Sequence, residues 1–293
     1  VNLVLTVLQT VAPVFLLAAI GYVWVRLGNE FRLEFVTRLT MTLSSPALIF
    51  TALVKTDIDP NALATITVAA VGAYALVGLA AYGAIRLTGR DVRTYVNPLT
   101  FGNTGNLGLP LALFAFGPTG LGYAVAIFAV MAVGSFTIGV WLVAGRGSFG
   151  KVLREPLVWS TLLGALFLWQ GWSVPVFAMN TLDLLGQIAI PMMLITLGVA
   201  VARLKPAHIG PSVVMALGKL VLSCGAALAM GLLFGLEGVA LSVLIVQICT
   251  PVAVTSYLLA EKYGADADAT AGLVVASTML SVLYLPVLLA FVM

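Results

Sequence analysis

Ten apolar stretches, each long enough to cross a bilayer, follow one another with only short loops between them. They lie at residues 3–26, 34–54, 62–87, 92–116, 120–144, 155–172, 177–202, 209–235, 238–260 and 268–292. A spanning α-helix needs about 20 mostly apolar residues. In lipid a helix can satisfy its own backbone polar groups without water, which a single strand or an open loop cannot. Such a succession predicts an all-α membrane protein of ten transmembrane helices. A soluble alternative fails on composition. Hydrophobic residues make up 61% and charged residues 9%, against about a quarter charged in soluble domains. An interior of this size cannot hide that much apolar surface.

The first stretch lacks a basic segment ahead of it and runs on to Arg26, so it reads as a retained span rather than a cleaved leader. Basic residues set the orientation. Twelve of the fourteen Lys and Arg residues fall on one side: Arg26, Arg32, Arg38, Arg86, Arg90, Arg93, Arg146, Lys151, Arg154, Arg203, Lys205 and Lys262. Lys55 alone marks the other side, and Lys219 lies inside a span. The odd-numbered loops are therefore expected in the cytoplasm and both termini outside, in a cytoplasmic (inner) membrane.

Several function classes drop out. The net charge is +3 with no basic face, so no nucleic-acid partner is expected. Cys224 and Cys249 sit in apolar stretches and the chain has one His, which leaves no basis for a disulfide or a Cys/His metal site. No phosphate-binding loop, metal motif or nucleophile–base set is present. The chain is expected not to be an enzyme and to need no cofactor.

Ten spans divide into two sets of five, and an odd number per set forces opposite orientations. Inverted repeats of this kind are a common plan for carriers. The halves, 1–145 and 146–293, match locally: Pro46 and Pro191 lie in mid-span with Thr51 and Thr196 five residues on, and Pro110 is matched by Pro251. The basic loop Gly145 to Lys151 would be the hinge between them.

Chemistry concentrates in two stretches. Phe101-Gly102-Asn103-Thr104-Gly105-Asn106-Leu107-Gly108-Leu109-Pro110 makes a poor continuous helix, because proline removes a backbone donor and glycine frees the backbone. Unwound backbone at that depth is tolerated only against protein or a wet cavity. Two half-helices would result, and the amino-terminal end of one suits a carboxylate. Asn103, Thr104, Gly105, Asn106, Gly108 and Pro110 are thus candidate substrate-binding residues. Close helix packing through small residues is the competing reading. The second stretch, Gln247 to Ser256, adds Gln247, Thr250, Pro251, Thr255 and Ser256, although Thr and Ser can also bond their own helix.

Lys219 lies about ten residues into its span, where a charge is costly and by default functional. It would attract an anion, or stand where a coupling cation sits in other carriers, bonding Gln247 or backbone carbonyls. Snorkelling to the interface is the bland alternative. Asp183 is expected near the outer surface.

Asn103-Thr104-Gly105-Asn106-Leu107-Gly108-Leu109-Pro110, with Ser45-Pro46-Ala47 and Thr250-Pro251-Val252-Ala253, resembles the auxin efflux carrier family, which includes plant auxin carriers and bacterial permeases for malate or malonate. The resemblance runs the full length, and the chain looks like a compact bacterial member. It implies the fold of bile acid:sodium symporters, with broken fourth and ninth helices crossing near the midplane. A scaffold of spans 1, 2, 6 and 7, carrying Pro46 and Pro191, would face a moving domain of spans 3–5 and 8–10. It also implies an elevator motion, dimerisation through the scaffold, and a small organic anion near Asn103 and Asn106. Related symporters hold sodium with carboxylates and amides, whereas this core offers amides, hydroxyls and Lys219. The coupling ion, proton or sodium or neither, is left open, with a sodium-coupled carrier of a larger amphipathic anion as the alternative.

Overall fold

The structure is a computed structural model and describes residues 3–144 and 156–293 of the chain. The expected hinge at Gly145–Lys151, with Arg146, Lys151 and Arg154, lies outside the described residues.

The described chain is all α-helical. In order the helices are α1 (Leu3–Arg26), α2 (Leu33–Val54), α3 (Pro60–Leu87), α4 (Val92–Thr100), α5 (Thr104–Ala144), α6 (Pro156–Gln170), α7 (Val176–Gln187), α8 (Ala189–Arg203), α9 (Ile209–Leu233), α10 (Gly238–Ile248), α11 (Val254–Tyr263) and α12 (Ala267–Val292). Seven helical runs among the described residues are long and apolar enough to cross a membrane, α7 and α8 counting as one, and α6 and α10 are shorter apolar helices. Large apolar side chains crowd the outer surface: Leu79, Phe177, Leu232 and Phe291 stand more than two-thirds exposed. Lipid is the solvent that suits such a surface.

Local chemistry fixes the ends. Pro60 opens α3 behind Asp59, whose carboxylate accepts from the Asn61 amide at 2.9 Å. Asp91 caps α4 by accepting from the amides of Arg93 and Thr94 at 3.2 and 3.1 Å. Asp266 caps α12 through the Ala269 amide at 2.9 Å. Each cap satisfies donors that the first turn leaves free.

The long α5 run is not one rod. Gly117 has φ 65° and ψ −158°, a backbone conformation that only glycine adopts cheaply. Pro118 follows and cannot continue the preceding ladder. The chain therefore turns at 117, close to where the sequence places a loop between its fourth and fifth apolar stretches. Wide helical turns at Thr40–Ser44 and Ser135–Gly139, and the break at Ile188 between α7 and α8, were not legible beforehand.

Two sets of helices pack mainly among themselves. The helix α1 lies along α8, and α2 packs against α6 and α7. The other set joins α3 to α9 and α4, α5 to α10, and α9 to α12. The α1–α8 contact is backbone to backbone: a Cβ added at Gly198 would fall 1.7 Å from the Ala18 carbonyl oxygen, and one at Gly21 would fall 2.0 Å from that of Ile195. In lipid, where apolar side chains gain little by leaving the solvent, such close approach is a main source of helix adhesion.

Candidate functional site

Both polar stretches are broken helices, and they cross. The helix α4 ends at Thr100; Phe101 is extended (φ −99°, ψ 120°), and α5 resumes at Thr104. The helix α10 ends at Ile248, and α11 starts after the extended Ala253 (φ −69°, ψ 137°). Between these ends Gly102 and Val252 form a single antiparallel bridge, and the Asn103 amide donates to the Pro251 carbonyl at 2.7 Å. Glycine is required at the contact, since a Cβ at Gly102 would lie 2.2 Å from Thr250 Oγ1. A Cβ at Gly108 would lie 2.2 Å from Gln247 Oε1.

The freed backbone groups borrow partners from neighbouring helices, as buried polar groups must. Tyr284 donates its hydroxyl to the Cys249 carbonyl at 2.8 Å. Lys219 donates to the Thr250 carbonyl at 2.9 Å. The Val252 amide donates to Ser277 Oγ at 3.0 Å. At the start of α5 the amides of Leu107 and Gly108 both point to the Asn103 carbonyl, at 3.1 and 3.2 Å, in one wide turn.

The side chains tell a different story. Asn103, Thr104, Gln247, Thr250, Ser256 and Lys219 are all buried. Thr250 Oγ1 bonds back to the Gln247 carbonyl at 2.7 Å, and Asn97 donates to Ser256 Oγ at 3.4 Å. Yet Asn103 Nδ2, Thr104 Oγ1, Asn97 Oδ1 and both polar atoms of the Gln247 amide have no hydrogen-bond partner. The same holds for Thr196 Oγ1 on α8, the helix that packs against the first turn of α5, and, more widely spread, for the hydroxyls of Thr40, Ser45, Thr56, Tyr74, Ser223 and Thr278. Each unsatisfied buried group costs about 1–3 kcal/mol, so a cluster of them marks a place built for a polar guest or for water.

The carboxyl-terminal ends of α4 and α10 bring partial negative charge to the crossing, and every other charge there is positive. The amino-terminal ends of α5 and α11 carry partial positive charge, and Lys219 adds an ammonium. Neither broken stretch, 97–110 or 247–256, contains an acidic residue. No group of three or more His, Cys, Asp or Glu residues capable of holding a metal occurs among the described residues.

Of the residues singled out in the sequence, Asn103, Thr104, Gly105, Gly108, Pro110, Gln247, Thr250, Pro251 and Ser256 are buried in or beside the two breaks. Asn106 is half-buried in the first turn of α5, whereas Thr255 lies on an exposed face of α11. Lys219 bonds the Thr250 carbonyl, one of the two kinds of partner expected for it. Pro46 and Pro191 are half-buried in α2 and α8. Asp183 pairs with Lys55. Asn97, Ser277 and Tyr284 escaped the sequence reading; each is a polar residue inside an apolar stretch, which is the signal that could have found them. So did the approach of the Cys224 and Cys249 sulfurs to 3.1 Å, because they stand 25 residues apart, one on α9 and one in the break after α10.

Residues 6–152 and 147–289 match the family described as membrane transport protein. A relative from Methanothermobacter thermautotrophicus named "Uncharacterized transporter" is 27% identical over 95% of this chain and 96% of its own. The "Uncharacterized transporter MJ1031" of Methanocaldococcus jannaschii is 26% identical over 62% of each chain. A Rhizobium meliloti protein named "Putative malonate transporter" is 24% identical over 93% of this chain and 91% of its own. The apolar helices, the crossed breaks and these matches agree, and the chain belongs to the membrane transport protein family, that of the auxin efflux carriers.

Proposed function

We propose that this transporter is a secondary carrier moving a small mono- or dicarboxylate across the cytoplasmic membrane. The observation that carries the proposal is the crossing of the two broken stretches. Buried amide and hydroxyl groups without partners gather there beside Lys219 and two helix amino termini, with no acidic residue in either stretch. A carboxylate would accept from Asn103 Nδ2 and the first amides of α5, with Asn106 at the edge. The name of the Rhizobium meliloti relative makes malonate the first substrate to try.

The fold reading that goes with this is ten spans in two inverted five-helix repeats, 1–145 and 146–293, with both termini outside. The packing of α1 with α8 and of α2 with α6 and α7 supports a scaffold of spans 1, 2, 6 and 7. The set around the crossing would be the moving domain of an elevator, working as a homodimer held through the scaffold. Lys219 supports transport without sodium, since its ammonium already lies on the Thr250 carbonyl.

Uptake of labelled malonate and other small acids into proteoliposomes tests the proposal, with and without a sodium gradient. Saturable uptake that Asn106→Ala abolishes is the expected result. Uptake unchanged by Asn106→Ala refutes the site; no saturable uptake of any organic anion refutes the carrier. Strict sodium dependence overturns the role given to Lys219.

A further inference from the structure

A large hollow lies beside the crossing rather than at it. It is a groove of about 1160 Å³ between α3, α4, α5 and α6. Its rim residues Val71, Leu79, Ile138, Trp141 and Leu162 are each more than half exposed, so it opens sideways onto the lipid-facing surface. Its floor includes Tyr74, Phe101 and Phe128, which are buried. Phe101 also begins the break after α4, and its ring lies 5.7 Å from that of Tyr74.

The groove does not suit a small acid. Sites for small molecules run to about 300–1,000 Å³ with a few well-placed polar groups. This one is larger, and apart from the unpartnered Tyr74 hydroxyl its floor and walls are almost wholly apolar. Four threonines line it, and all four hydroxyls turn back onto their own helices: Thr67 to Leu63, Thr100 to Val96, Thr137 to Val133 and Thr161 to Leu157, at 2.6–2.8 Å.

The single charged residue in the lining is Arg86, in the last turn of α3. Its guanidinium lies over the Tyr82 ring at 5.4 Å and donates Nε to the Tyr82 hydroxyl at 3.1 Å. That leaves the terminal nitrogens without a carboxylate partner among the described residues. Tyr82 and Trp141 stand at the same end, near the ends of their helices, where aromatic residues mark the lipid headgroup level. Asp91, the nearest acid in sequence, is engaged in capping α4.

We propose that this groove holds one anionic membrane phospholipid, its phosphate on the Arg86 guanidinium and an acyl chain along the floor against Phe101. Long apolar walls with one cation at the interface match that amphiphile better than a zwitterionic one, whose own ammonium is repelled by the guanidinium. Guanidinium meets phosphate with paired hydrogen bonds, and anionic lipids favour the leaflet that faces basic loops. The bound chain then rests on the residue that opens the helix break, so lipid composition bears directly on the crossing.

Native mass spectrometry of the purified full chain tests this, with phosphatidylglycerol, phosphatidylcholine of the same acyl chains, or oleate added. Phosphatidylglycerol is expected to be retained at least tenfold over phosphatidylcholine, and to raise the melting temperature. Arg86→Gln is expected to bring that preference to about one, with the lipid-free variant still folded and monodisperse. Ala75→Trp, at an exposed lining position, should lower retention of both lipids and keep the protein monodisperse. Equal retention of the two lipids by the wild type, or an undiminished preference in Arg86→Gln, overturns the proposal. Oleate bound as tightly as phosphatidylglycerol overturns the phospholipid assignment.

Discussion

The ammonium of Lys219 donates to the carbonyl of Thr250, 31 residues further along, at 2.9 Å and out of reach of solvent. This bond ties α9 to the break between α10 and α11. Replacing the charge by an isosteric apolar group, Lys219→Met, leaves the Thr250 carbonyl without its donor. We expect a loss of about 1–3 kcal/mol in stability and at least a tenfold loss in malonate uptake, read by thermal unfolding and proteoliposome assay. A variant with wild-type stability and uptake would show that the charge has no role.

Gln247 offers an opposite signature. Both polar atoms of its buried amide are unpartnered. Gln247→Met keeps the shape and removes the desolvated polar groups, so the ligand-free protein should gain up to about 1–3 kcal/mol. The shift in melting temperature produced by malonate should shrink or vanish in the same variant. A less stable protein that still responds fully to malonate would contradict the assignment.

Gly102 and Gly218 form a matched pair. A Cβ at Gly102 meets Thr250 Oγ1 at 2.2 Å and the Thr250 carbonyl at 2.9 Å, while one at Gly218 in α9 meets nothing within 4 Å. Gly102→Ala is expected to cost about 1–3 kcal/mol by overpacking and to abolish uptake. Gly218→Ala should gain up to about 1 kcal/mol from helix propensity with uptake intact. Denaturation of the two variants side by side checks this.

The Lys55–Asp183 pair joins the end of α2 to α7, with both side chains partly exposed. Removing it with Asp183→Asn should cost no more than about 1 kcal/mol. The exchanged pair Lys55→Asp with Asp183→Lys should restore what is lost. A larger, unrescued loss would mean that Asp183 does more than hold α7.

The helical class and the two breaks were legible in the sequence for a plain reason. Apolar length is a strong signal, and Asn103 to Pro110 breaks several helix rules within ten residues. What joins the breaks was less legible. The partners Ser277, Tyr284 and Asn97 sit one at a time in apolar stretches and come together only through packing between helices distant in sequence. The orphaned hydroxyls of Ser45 and Thr196 escaped as site residues for the same reason. A hydroxyl in a membrane helix usually bonds its own backbone, as Thr51 does with the Ala47 carbonyl at 2.9 Å. Only coordinates distinguish the exceptions.

The bond from the Asn103 amide to the Pro251 carbonyl has a mechanical reading. Tyr284, Lys219 and Ser277 hold residues 249–252, and residue 251 in turn holds residue 103. While those links last, α9, α12 and both interrupted helices shift as a single rigid block. Deuterium labelling should then find the amides of Asn103 and Val252 opening together, at one shared rate.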